Sequence, residues 1–278
     1  MEKLKILIPT DFSVQAEYAY LMVKKLEEKI PVETHFIYVM SVPDSITMDK
    51  NGKIETCGDI SVSSIESQKA IAERKLQNLK TLYGNDIHVH FDLGKVTNKI
   101  VSYAEEHKFD MIVMGTKGAW GIKEKLSGSE TQMVARHSKI PVLSLMCDRS
   151  DLIIQNILVV HDFSNPANLN LSLLHKLINA FQTKVHLLQI AVNQSNNQKS
   201  ALFQLMDKFA ELNGISNYEK HILNDQDVEN GVIHFNQMND MDMVCIGTHG
   251  KGGLFHTSAT EKLVNHLFKP IISYHLNN

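Results

Sequence analysis

Short uninterrupted apolar runs alternate along the chain with segments whose apolar positions recur every three or four residues. Leu4–Thr10, Val32–Val39, Ile87–Leu93, Met111–Met114 and Pro141–Met146 read as strands. Between them, Ala16, Ala19, Val23 and Leu26 fall on one helical face, and Ala72, Leu76, Leu79 and Tyr83 mark a second helix. Val96–His107 and Ser129–His137 complete the helices of this half. The second half predicts the same order, with strands near 156–161, 184–190, 218–223, 242–247 and 270–275. Leu169, Leu173 and Leu177 give its first helix an apolar stripe. Strands that are apolar at every position are buried on both faces, and their separation by helices implies parallel sheets covered on each side. Right-handed crossovers make each half a doubly wound α/β layer of five strands. Such sheets bind ligands at the carboxyl ends of the strands, where the winding reverses.

The two halves also match residue by residue. KILIPTDFS at 5–13 returns as NILVVHDFS at 156–164, an offset of 151. VTNKIVSYAEEHKFDMIVMGTKG at 96–118 aligns without gaps to VENGVIHFNQMNDMDMVCIGTHG at 228–250, an offset of 132. IPVLSL at 140–145 pairs with KPIISY at 269–274. The second copy is therefore shorter in its middle, and the polar stretch Ser41–Ser61 is the surplus of the first, expected as a surface loop. Charged residues interrupt the apolar pattern near Asp148–Leu152, so the domains are expected at 1–148 and 152–278.

A length of 278 residues suits two domains of ordinary size. A net charge of −3 provides no strong positive field, so neither nucleic acid nor an anionic membrane is expected as a partner. The opening MEKLKILIPTDF has too short an apolar run for a leader, and no segment reaches membrane-helix length; the expectation is a cytoplasmic protein. Cys57, Cys147 and Cys245 are odd in number and widely spaced, as suits a reducing compartment. Cys147 and Cys245 read as small core residues, whereas Cys57 sits in a polar loop.

Chemistry concentrates after the fourth strand of the first copy, in GTKGAWGIKEKLSGSE. Glycines at Gly115, Gly118, Gly121 and Gly128 permit positive φ and close approach of a ligand to bare amides, which together can hold an anion. Gly128 and Ser129 open the next helix, whose free amides and positive dipole end favour phosphate. Lys117, Lys123 and Lys125 read as solvated, and Trp120 either shields a ligand or meets a neighbouring domain. There is no GxxxxGK[ST], no GxGxxG after the first strand, no nucleophile elbow and no carboxylate pair, so a P-loop enzyme or a dinucleotide dehydrogenase is unsupported.

The spacing Gly-x2-Gly-x9-Gly-Ser, met by Gly115, Gly118, Gly128 and Ser129, resembles the ATP-binding signature of the universal stress protein family. The opening strand ending in Asp, the DMIVMGT strand and the closing Pro-Val-Leu strand resemble the same family, so the chain looks like a tandem member. The resemblance implies two tandem, Rossmann-like sheets of the adenine nucleotide alpha hydrolase-like class. It implies ATP or AMP in the first domain, held at Pro9, Thr10, Asp11, Val39, Met114, Gly115, Gly118, Gly128 and Ser129. No metal is expected beyond Mg accompanying ATP. It also implies pairing of the copies through Pro141–Met146 and Pro270–His275, further dimerisation of chains, and unidentified protein partners.

The implied function is a non-catalytic, nucleotide-responsive stress regulator. Slow ATP hydrolysis or autophosphorylation on Ser129 or Thr131, and a nucleotide-free adaptor with a vestigial loop, stay open as alternatives. In copy two, Thr257 and Ser258 stand where Gly128 and Ser129 do, the loop is three residues shorter, and His161 precedes Asp162. A Cβ then blocks the cradle, and weak or no nucleotide binding is expected there. Asp11 and Asp162 also suit helix caps. Copy two holds nine of the 14 histidines. His161, His249 and His256 map to one sheet end, but no two of them share an element at ligand spacing, so a zinc site there is disfavoured.

Overall fold

Strands and helices alternate along the chain. The structure, a computed structural model, describes residues 3–49, 51–56, 62–116, 130–163, 171–192, 199–249, 263–264 and 266–276. The first half comprises β1 (Leu4–Pro9), α1 (Val14–Glu27), β2 (Val32–Met40), β3 (Ile46–Met48), β4 (Ile54–Thr56), α2 (Val62–Tyr83), β5 (His88–Leu93), α3 (Val96–Glu106), β6 (Met111–Gly115), α4 (Glu130–His137) and β7 (Val142–Leu145). The second comprises β8 (Asn156–Val160), α5 (Ser172–Phe181), β9 (Lys184–Val192), α6 (Lys199–Leu212), β10 (Tyr218–Asp225), α7 (Val228–Met238), β11 (Met243–His249) and β12 (Ile271–Leu276).

Ten strands form one sheet in the order β10-β9-β8-β11-β12-β7-β6-β1-β2-β5. Each half places its opening strand, β1 or β8, in the middle, and pairing within a half is parallel. The halves meet where β7 pairs antiparallel with β12, Val142 opposite Ser273, Leu143 opposite Ile272 and Ser144 opposite Ile271. The expected pairing of the closing strands is thus present, and it fuses the two layers into one sheet. Ser144 Oγ donates to the Ile271 carbonyl and Ser273 Oγ to the Val142 carbonyl, each at 3.3 Å, a reciprocal pair across the seam.

Strands buried on both faces need two helical layers, and both are present. On one face, α1, α2, α5 and α6 cover a core that runs unbroken across the seam, from Leu4, Ile6 and Ile8 through Leu143 and Leu145 to Ile272, Ile157 and Val159. On the other face, α3 and α4 cover Leu7, Ile37, Ile112 and Val142 in the first half. There α7 covers Leu158, Leu188 and Val244 in the second. Among the described residues, no helix is long and apolar enough to cross a membrane.

Three sequence expectations change. The Ser41–Ser61 stretch is not a plain surface loop: β3 and β4 form an antiparallel hairpin whose Ile46 and Ile54 are buried with Met40, Ile65 and Leu93. Two isolated isoleucines in a polar stretch carry no period, so the hairpin leaves no trace in the pattern. The second helix begins at Val62, well before Ala72, because its first two turns bury only Ile65. Cys147 is half-buried just past β7 and not a core residue; Cys245 is enclosed in β11, where burial pushes its thiol up to about 12. Cys57 and Leu169 lie outside the described residues.

Two strand histidines make the fold acid-sensitive. Burial holds His35 and His90 below the usual histidine value. Around His35, Glu33 works against the shift while His88 and Lys5 reinforce it; around His90, Asp92 opposes it while His107 and Lys99 reinforce it. Folding therefore favours the neutral rings, a contribution complete above about pH 6.5 and lost as pH falls through the folded-state values. The thermal midpoint followed by circular dichroism should drop between about pH 7 and pH 5.5. A midpoint constant over that window would contradict this.

Candidate functional site

The winding reverses between β1 and β6, which are neighbours, with β2 on the far side of β1. The carboxyl ends of these three strands bring together Pro9, Thr10 and Asp11, then Val39, then Met114 and Gly115. Six of the nine predicted site residues therefore share one rim. Val39 and Met114 are buried in the layer under α3 and α4. Thr10 is buried, and its N–H donates to the Ile37 carbonyl at 2.8 Å, extending the β1–β2 ladder by one bond. Gly118, Gly128 and Ser129, with Lys117, Trp120, Lys123 and Lys125, lie outside the described residues.

The turn after β1 is strained in a defined way. Phe12 has φ 63°, a left-handed conformation that costs a non-glycine residue about 1–3 kcal/mol. Local bonds hold it there. The Phe12 N–H donates to Thr10 Oγ1 at 3.0 Å, and its ring stacks on Tyr38 with centroids 5.0 Å apart. Lys75 Nζ lies 5.2 Å from the same ring. Asp11 is exposed, and its Oδ1 accepts the Ser13 N–H at 3.0 Å. The cap of α1 is Ser13, whose hydroxyl accepts from the Ala16 N–H, so Asp11 is not the helix cap.

At the end of β6, Gly115 is a glycine for a packing reason. A Cβ there would lie 2.0 Å from the Gln15 carbonyl oxygen in the first turn of α1. The Thr131 hydroxyl donates to the Gly115 carbonyl at 3.0 Å, and Thr131 is only 4 % exposed. That commitment removes Thr131 as a solvent-open phosphoryl acceptor. Glu130, in the first turn of α4, accepts from Thr97 Oγ1 of α3 at 2.6 Å. Its carboxylate already complements the positive end of that helix. This bridge between α3 and α4 spans 33 residues, and no local pattern announces it.

The universal stress protein family model matches residues 4–145. The chain belongs to the universal stress protein family. It is 32% identical over 139 residues to universal stress protein MJ0531 of Methanocaldococcus jannaschii, a match covering 50% of this chain and 79% of that protein. It is 30% identical over 149 residues to MJ0577 of the same organism, covering 50% of this chain and 92% of that protein. The crystal structure of a universal stress protein from Archaeoglobus fulgidus covers 99% of this chain and 97% of its own, with a TM-score of 0.74 and 19% identity. The likeness in fold thus extends through both halves.

The second rim of this universal stress protein keeps the turn and changes the chemistry. Phe163 has φ 54°, as Phe12 does, and its N–H donates to His161 Nδ1 at 2.8 Å, the bond Thr10 accepts in the first half. His161 is buried between the rings of Phe163 and Phe209, each with its centroid 5.1 Å away. The next described helix, α5, begins at Ser172 behind Leu171, and residues 164–170, where a cap by Asp162 would act, lie outside the described residues. An imidazole thus stands where the first half has a threonine. His249's side chain, His256, Thr257 and Ser258 lie outside the described residues.

The tightest constraint on the first rim is testable. Gly115→Ala forces α1 off β6 and should cost about 1–3 kcal/mol, the usual range for overpacking. Urea unfolding monitored by circular dichroism measures it, and an unchanged midpoint would refute the close approach.

Proposed function

We propose that this universal stress protein is a nucleotide-responsive, non-catalytic regulator of the stress response that takes ATP or AMP at the first rim. The reading divides it into a domain at 1–148 with an intact glycine loop and a domain at 152–278 with a degenerate one. One observation carries it: six of the nine residues that the family resemblance assigns to adenine nucleotide converge on adjacent strand ends at the reversal of winding. Asp11 is exposed there, and Val39 and Met114 supply an apolar floor. In sequence, Gly118, Gly121 and Gly128 follow between Gly115 and α4. Mg would accompany ATP, and two chains would associate as a homodimer in the cytoplasm.

Binding drives regulation by mass action. Free nucleotide at 100 times its dissociation constant stabilises the bound state by about 2.7 kcal/mol. That is enough to order a loop and bias a surface toward a protein partner. The test is calorimetric titration of ATP into the full chain and into Gly118→Val and Gly128→Val. One site per chain is expected, with affinity reduced at least about tenfold, or about 1.4 kcal/mol, in each variant. Undiminished affinity in both variants would refute the site, and two equal sites per chain would refute the asymmetry. Steady phosphate release by the wild type would favour slow ATP hydrolysis instead.

A further inference from the structure

In the second half, three ligating side chains converge at the start of the outer strands. His186 on β9 stands in register beside Glu219 on β10. Glu219 and His221, two residues apart on one strand, share a face. His186 Nδ1 lies 3.0 Å from His221 Nε2 and 3.6 Å from Glu219 Oε2, and His221 Nε2 lies 3.8 Å from that same oxygen. Tetrahedral zinc, with bonds of about 2.0–2.1 Å, sets its ligand atoms about 3.3 Å apart. All three separations fall within about 0.5 Å of that spacing.

The surroundings orient the donors. His186 Nε2 lies 3.2 Å from Asn156 Oδ1, an oxygen that only accepts, so Nε2 carries the ring proton and Nδ1 offers its lone pair toward His221. Metal-bound histidines are held by an outer partner of this kind. Lys184 bonds the other carboxylate oxygen, Glu219 Oε1, at 2.5 Å, leaving Oε2 to the imidazoles. The Phe235 ring meets His221 edge-on with centroids 4.9 Å apart, closing one side. Glu219 is 49% exposed, so a water can take the fourth position. Burial also keeps both imidazoles below the usual histidine value, hence neutral at pH 7.

We propose that His186, Glu219 and His221 bind one Zn²⁺ ion, with Asn156 as the positioning residue, and that the ion ties the edge strand β10 to β9. The site is separate from the nucleotide rim and does not depend on it. The first half supplies an internal control. Glu33, His35 and His88 cluster on the matching strands. There Lys5, the second residue of β1, stands where Asn156 begins β8, and Glu33 Oε1 takes His35 Nε2 at 2.6 Å. The His35 and His88 rings stack more closely, with centroids at 4.3 Å against 5.2 Å for His186 and His221.

The experiment titrates Zn²⁺ into chelator-treated full-length protein without nucleotide, with Co²⁺ as a spectroscopic stand-in. One equivalent is expected to bind, with visible Co²⁺ bands of tetrahedral intensity. His221→Gln should abolish the bands, and Glu219→Gln, at a half-exposed position that leaves the fold intact, should weaken binding at least about tenfold. Asn156→Ala should weaken it about 10- to 100-fold, and His88→Ala should leave it unchanged. No uptake by the wild type, uptake undiminished in Glu219→Gln, or loss in His88→Ala would each overturn the proposal.

Discussion

The seam between β7 and β12 governs the architecture. Each is a closing strand buried along its described length, and alone each would leave a row of unpaired N–H and C=O groups on an apolar edge. Pairing satisfies both edges at once, and it lets a single core pass beneath both halves. Because the pairing is antiparallel, the strands of the two halves run in opposite directions. Their carboxyl rims therefore face opposite ends of the sheet, and no ligand could bridge them.

That separation lets the halves diverge chemically while keeping one backbone. The left-handed phenylalanine after β1 and after β8 shows the backbone device retained. What receives its N–H differs: a small hydroxyl at Thr10, a bulky ring at His161. The first rim carries a buried threonine and an exposed aspartate, whereas in the second the His161 ring is packed between Phe163 and Phe209. The second half has its own polar cluster at the other end of its strands, where His186, Glu219 and His221 meet.

Much of the fold was legible because apolar strands and striped helices carry strong periods. All ten strands of the main sheet stand within two residues of the segments read from the pattern, and the seam followed from the family resemblance. Features defined by contact across distance were not legible. The β3–β4 hairpin rests on two isoleucines without a period, and the Thr97–Glu130 bridge joins helices far apart in sequence. Gly115 could be located but its reason could not, since only the path of α1 over β6 shows that a Cβ would strike Gln15. The histidine cluster was missed for a related cause. Glu219 and His221 form a pair two apart on a strand, and His186 and Asn156 join it only through strand register.

The central claim is that the first rim takes an adenine nucleotide. Its most direct measurement is mass spectrometry of the small molecules released when the purified full-length chain is denatured, with protein quantified in the same sample. Close to one adenine nucleotide per chain is predicted. A chain that releases none, and takes up none after incubation with ATP and Mg, would contradict the account.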